Sequence, residues 1–229
     1  MPRIILLFML FLLPLVTSSR MENRVTERPV SGCEQLYGEL GLAGKVAYTA
    51  FERAFEGYTR IEGRRKEVLT LIDFTKPSTD ERLYVLDMAR KEILFETHVA
   101  HGRNSGENYA TSFSNRNGSY QSSLGFYLTE NTYMGGNGYS LVLNGLEAGI
   151  NDNAKARAVV MHGAAYANPA FAAAQGRLGR SLGCPALPEA VNRSVIDAIK
   201  NGSVLFIYAD DTRYFAQSPI LSSQTVASL

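Results

Sequence analysis

Several things are scarce in this 229-residue chain, and each scarcity removes a class of function. Charge of one sign is missing: 23 basic residues face 22 acidic ones, for a formal net charge of +1. Nucleic-acid binding draws on counterion release at a clustered basic surface, and no such cluster is present. The run Arg64, Arg65, Lys66 is flanked by Glu62 and Glu67 and reads as a solvated face. Long apolar runs are missing too. The only one of note, Ile4 to Val16, is too short to cross a bilayer core of about 30 Å as a helix. Repeats are absent, and a composition of 45% apolar and 20% charged residues excludes disordered, collagen-like and coiled-coil chains. Cysteine and histidine are rare, with Cys33 and Cys184, and His98, His101 and His162.

The short apolar run carries information of its own. Arg3 precedes it, and Thr17, Ser18 and Ser19 follow it, which is the layout of a secretory signal cleaved near Ser18 or Ser19. Residues 1–19 are therefore read as a signal peptide and the rest as an extracytoplasmic, periplasmic or secreted protein without stable membrane insertion. Val30-Ser31-Gly32-Cys33 resembles a lipoprotein box. Arg20, Glu22, Arg24, Glu27 and Arg28 separate it from the apolar core, which argues against lipid anchoring at Cys33.

Residues 20–33 read as a linker. Residues 34–62 read as a helical segment, with Leu36, Leu40, Tyr48, Phe51 and Phe55 at helical spacing and a break near Gly41 and Gly44. From there the texture is β-prone: Val68 to Phe74, Leu83 to Met88, Ile93 to Val99, Leu124 to Thr129, Tyr139 to Leu143, Ala158 to Met161 and Val204 to Tyr208. A hairpin is expected at Ala89 to Lys91 and a tight turn at Met134 to Gly138. Seven short strands predict a mainly β fold, a β-sandwich or small barrel, over residues 66–210. One helix is expected after Cys184. Pro188 and Glu189 start it, Val191, Val195, Ile196 and Ile199 form its stripe, and Asn201-Gly202 stops it. Residues 211–229 read as a loose tail. The polar stretch Gly102 to Ser119 is either a wall over a cleft or a mobile surface loop.

The chemistry concentrates at two points. His162 ends a strand and precedes Gly163. Cys184 sits in a glycine-bearing loop, Ser181-Leu182-Gly183-Cys184, with Pro185 biasing it to extended backbone. A thiol paired with an imidazole performs acyl transfer, because the thiolate is a strong nucleophile and the imidazole moves its proton. Pro185 has no N–H, so oxyanion donors would be the N–H groups of Cys184 and Gly183. The Gly163 carbonyl is placed to orient the imidazole. Spacing alone leaves a buried structural cysteine, or a Cys33–Cys184 disulfide, as the alternative. His98 and His101, three apart on a strand, point to opposite faces, which disfavours a metal site. His101 is a candidate for the cleft wall, and His98 for a packed or surface role.

His162-Gly163 followed by Ser181-Leu182-Gly183-Cys184 resembles the signature of the L,D-transpeptidase family of bacterial cell-wall enzymes. Ser122-Ser-Leu-Gly-Phe126 is similar to that family's upstream strand, and the Arg-Ser-Leu-Gly-Cys-Pro-Ala-Leu run to a divergent branch of murein L,D-transpeptidase domains. The resemblance implies Cys184 as nucleophile, His162 as base, Gly163 as its orienting oxygen and Ser181 as support of the loop, with no metal or cofactor. It also implies peptidoglycan stem peptides as partners. The thiol would attack a tetrapeptide at its L,D-linkage, expel D-Ala, and pass the acyl group to a second stem's amine or to water. Two positions depart from the pattern: Leu182 stands where many members have His, and Ala186 where many have Arg or Asn. Arg180, Arg177 or Arg103 would then hold the substrate carboxylate. The other readings are an L,D-carboxypeptidase only, and a non-catalytic envelope-binding β-domain stapled by Cys33–Cys184. A papain-like enzyme usually places its Cys before its His, the reverse of the order here.

Overall fold

A computed structural model describes residues 31–222. The expected signal sequence and its cleavage point lie outside the described residues. Among those that are described, no helix is long and apolar enough to cross a membrane.

Each of the seven β-prone runs forms a strand: β1 (Val68–Asp73), β2 (Leu83–Asp87), β3 (Glu92–Thr97), β4 (Gly125–Gly135), β5 (Gly138–Gly145), β6 (Val160–Gly163) and β8 (Val204–Tyr208). An eighth, β7 (Ala186–Leu187), is only two residues long. All eight join one sheet in the order β3-β2-β1-β8-β4-β5-β6-β7. The pairs β1–β8 and β6–β7 are parallel, and the others are antiparallel. Beyond β3 the chain returns to the opposite edge. Ala100 bridges Ala186, and Gly102 bridges Ser181. The sheet therefore curls back on itself as a barrel, which decides against the two-sheet sandwich.

Strands β1 and β8 are buried along their full length. A strand apolar on both sides needs cover on both faces. Helix α2 (Tyr48–Arg60) packs across β1 and β8 and buries Ala50, Phe51, Ala54, Gly57 and Tyr58. Gly57 lets the helix backbone lie against an aromatic ring: a Cβ there would come within 2.0 Å of Phe126. That ring is itself stacked on Phe206 at 4.0 Å and has no room to retreat. Helix α1 (Gly32–Glu39) is capped by the Ser31 side chain, so the helical segment begins two residues earlier than its apolar spacing suggests. Helix α3 (Pro169–Gln175) follows a short 3-10 turn at Ala165–Ala167. Helix α4 (Glu189–Ile199) starts after Pro188, and the chain then turns through positive φ at Asn201 and Gly202.

The tail is not loose over its described part. Helix α5 (Thr212–Gln217) is capped by Asp211 and buries Tyr214. The Tyr214 hydroxyl and Ser218 Oγ both donate to Glu147, a fully buried carboxylate that also accepts from Phe126 N at 2.7 Å. Burial pushes the Glu147 carboxyl above the usual range. A buried carboxylate needs donors, and the C-terminal segment is held because it supplies two of them.

Candidate active site

A cleft of about 760 Å³ opens between the tip of the β4–β5 hairpin and the loop that precedes β7. Gly136, Asn137 and Gly138 form one wall, and Arg180, Ser181, Leu182 and Cys184 another. His162, Gly163, Arg157, Tyr166 and Glu189 complete the lining.

Strand β6 delivers the imidazole. His162 pairs with Ser140 on one side and with Ala186 on the other. Its Nδ1 lies 2.9 Å from the Gly163 carbonyl oxygen. A carbonyl only accepts, so Nδ1 carries the proton, and in the neutral ring the lone pair falls on Nε2.

The parallel β6–β7 ladder sets Cys184 beside Val160, two residues before His162 on the same face of β6. The Val160 N–H donates to Cys184 Sγ at 3.4 Å, and the thiol points to the Ala158 carbonyl at 3.7 Å. In this resting position the thiol is turned onto the strand backbone and forms no hydrogen bond with the imidazole. Burial pushes the Cys184 thiol above its ordinary value, opposed by the Val160 N–H and by the charge of Arg157. The resting group is thus a protonated thiol, and its chemistry requires a base.

The loop that carries the thiol is built by Ser181. Its hydroxyl donates to the Cys184 carbonyl at 2.6 Å and accepts from Gly183 N at 3.0 Å. Gly183 sits at φ 127°, and a Cβ would fall 2.9 Å from Gln121 O, so only glycine fits. The Ser122 hydroxyl reaches Gly183 O at 3.3 Å and accepts from Gly102 N at 3.0 Å. Because Gly183 N is spent on Ser181, the oxyanion donor expected there is already committed. The Cys184 N–H has no partner among the described residues.

Three expectations are corrected. His101 does not reach the cleft. It is 1% exposed, with Nδ1 2.8 Å from Arg82 Nη2 and Nε2 3.3 Å from Gly106 O, edge-on to Phe74. Its place is structural, because a buried guanidinium needs acceptors and the imidazole supplies one. Arg103 lies outside the cleft lining, its guanidinium 4.4 Å from the ring centroid of Tyr120. The stretch Gly102 to Ser119 is neither wall nor free loop: it is tied down through Ser105, Asn104 and Asn108, and none of it lines the cleft. Arg180 does line the cleft, but pairs with Glu107 at 2.7 Å, as Arg177 does at 3.0 Å. His98 Nε2 lies 2.9 Å from Thr79 O. Cys33 and Cys184 are both free, and Cys33 borders a different cavity with Glu52, Arg53 and Phe55. The disulfide-stapled reading therefore loses its staple.

One of the two departures from the pattern the sequence resembles has a local reason. Ala186 is fully buried in a small cluster with Ala100, Ala164, Ala167, Ala172 and Leu178, where a long polar side chain has no space. Leu182 stands 59% exposed at the rim.

The sequence profile of the L,D-transpeptidase catalytic domain matches residues 42–208. The chain belongs to that family. No curated protein matches this L,D-transpeptidase domain in sequence. Similar solved structures include an L,D-transpeptidase from Stackebrandtia nassauensis, 14% identical, covering 78% of this chain and 76% of that one, with a TM-score of 0.38. An L,D-transpeptidase from Mycobacterium smegmatis is 15% identical, covering 62% of this chain and 59% of the other, with a TM-score of 0.38. A helical cell shape determining protein from Campylobacter jejuni is 14% identical, covering 69% of this chain and 56% of the other, with a TM-score of 0.42. The L,D-transpeptidase domain thus spans under two thirds of the length of the last two.

Sequence reading missed Arg157, Tyr166 and the hairpin tip as cleft residues. Arg157 follows Asp152 to Ala156, a turn in the structure that belongs to none of the motifs read from the sequence. Only the sheet order reveals that this turn adjoins the cysteine loop.

The buried His101 makes stability pH-dependent. Burial, and the Arg82 charge beside it, hold its imidazole at about 4, against an ordinary 6.5. The unfolded chain therefore takes up the proton first as pH falls. The contribution is intact above pH 6.5 and is lost as pH drops toward about 4, amounting to about 3 kcal/mol. Denaturant midpoints measured across that window should fall with acid, and His101→Gln, which keeps an acceptor for Arg82 but cannot titrate, should flatten the slope. An unchanged slope would refute the assignment.

Proposed function

We propose that this protein is an extracytoplasmic cysteine acyl-transferase acting on peptidoglycan stem peptides. The observation that carries this reading is the placement of a thiol and a tautomer-fixed imidazole in one open cleft, in a chain of the L,D-transpeptidase family. His162 Nε2 takes the thiol proton as Cys184 Sγ bonds to the carbonyl carbon of the L,D-linkage. The Cys184 N–H faces the developing oxyanion. Collapse breaks the C–N bond, and Nε2 returns the proton to the departing D-Ala amine, leaving a thioester. An amine of a second stem, or water, then loses a proton to Nε2 and attacks the thioester, restoring the thiol. Ser181 and Gly183 set the loop, and Gly163 holds the imidazole. Arg180 is the cleft cation that could meet a substrate carboxylate, in exchange for Glu107.

The test is incubation of the purified protein with disaccharide-tetrapeptides and mass analysis of the products. A cross-linked dimer lacking one D-Ala identifies transpeptidation, and a tripeptide identifies L,D-carboxypeptidase action. An unchanged tetrapeptide with no acyl adduct on the protein would overturn the reading.

A further inference from the structure

Arg157 has an unusual environment for a cation. Its two terminal nitrogens donate to Ser114 O at 2.8 Å, Gln121 O at 2.7 Å, Ser119 Oγ at 3.2 Å and the Ser123 hydroxyl. All four acceptors are neutral. No carboxylate among the described residues forms an ion pair with it. The other arginine lining the cleft, Arg180, has Glu107 as partner. A partly buried positive charge without a counter-charge is costly; Arg82 bears that cost inside the core, whereas Arg157 lines an open cleft and leaves its charge free for a neighbouring group.

Its location says what that is. Arg157 lines the same cleft as Cys184. It immediately precedes Ala158, whose carbonyl the thiol approaches at 3.7 Å. Its Nη2 lies 3.3 Å from where a Cβ on Gly183, the neighbour of Cys184, would stand. The other charged or titratable groups lining the cleft are His162, Tyr166, Arg180 and Glu189. Of the cations, Arg180 is neutralised by Glu107.

We infer that Arg157 is a positioning residue for the nucleophile, its guanidinium fixed by the loop to serve as counter-charge of the Cys184 thiolate. This rests on the reading of Cys184 as nucleophile. Cations beside a thiol favour its ionised form, and the four neutral hydrogen bonds preorganise this one without quenching its charge. It also supplies the positive charge near the cysteine that Ala186 cannot.

The competing role is purely mechanical: Arg157 would only staple the segment 114–121. The two are separated by the pH dependence of Cys184 alkylation with iodoacetamide, read by peptide mass so that Cys33 is scored apart. Arg157→Gln should raise the midpoint by about one pH unit, a rate about tenfold lower at neutral pH. Arg157→Lys, which keeps the charge but loses the fork, should leave the midpoint close to wild type. The double variant Ser119→Ala/Ser123→Ala, which loosens the staple and keeps the charge, should leave it unchanged. It remains decisive if the Gln variant does not fold. An unmoved midpoint in Arg157→Gln, or a shifted one in the double variant, overturns the inference. The reagent needs no peptidoglycan, so a midpoint that depends on Arg157 in a protein that ignores tetrapeptides would remove the substrate assignment and leave this one standing.

Discussion

Cys184→Ala abolishes covalent chemistry in the cleft and leaves the fold in place. The sulfur lines the same cleft as the His162 imidazole, and the proposed reaction passes through a bond to it. Removing the nucleophile of a concerted site costs on the order of 10³-fold or more in turnover. The structural loss is small. The side chain contributes one weak contact to Val160 N at 3.4 Å and one to Ala158 O at 3.7 Å. The loop geometry belongs instead to Ser181, through its bonds to Cys184 O and Gly183 N, and these do not involve the sulfur. Stability should therefore change by about 1 kcal/mol or less. Intact mass after exposure to a carbapenem should show an adduct on the wild type and none on the variant, with matching denaturant midpoints. A Cys184→Ala protein that still turns over tetrapeptide at the wild-type rate would end the proposal.

Arg82→Ala should be the most damaging substitution in the core, at about 3–5 kcal/mol. Arg82 is fully buried and fills its site with directional bonds. It donates to Val99 O at 2.8 and 3.0 Å, to Lys76 O at 3.0 Å and to His101 Nδ1 at 2.8 Å, with its guanidinium 4.9 Å from the Phe74 ring centroid. Burial lowers its pKa to about 9, which still leaves it charged at neutral pH. Truncation orphans three acceptors and opens a cavity at once. Arg82→Lys keeps a cation without the planar fork, and should recover only part of the loss. Equilibrium unfolding in urea measures both. A loss below about 1 kcal/mol for the alanine variant would show that these bonds are replaced by water.

The contrast between what was legible and what was not follows the range of the forces involved. Alternation and β-branched content mark strands locally, and all seven marked runs are strands. Strand β7 is two residues long, too short for any period to register, and exists because Ala186 finds Ala100 and His162 as partners. Helix α5 looks polar in sequence. It is held by a carboxylate at Glu147, 67 residues before Tyr214. His101 stands before a glycine and a polar loop, much as a cleft residue would. Nothing nearby in the chain shows that Arg82 claims its Nδ1. Arg157 is hidden for the same reason: its acceptors lie 34 to 43 residues upstream. At the proposed catalytic pair the position is reversed. There the residue types themselves carry the signal, and His162-Gly163 and Ser181-Leu182-Gly183-Cys184 stand out before any contact is known.

The cysteine loop is gripped from its far side as well. Ser181 N donates to His101 O at 2.9 Å and Arg103 N to Ser181 O at 2.8 Å, while Ala100 and Ala186 exchange bonds at 2.8 and 3.3 Å. The segment 99–103 that makes these bonds hangs in turn on the guanidinium at position 82. The Cys184 sulfur is thus mounted on a truss whose keystone is the buried arginine just before β2. A site held by these bonds is coupled to the core. It should keep its shape up to the temperature at which the whole barrel melts, and lose it in the same event.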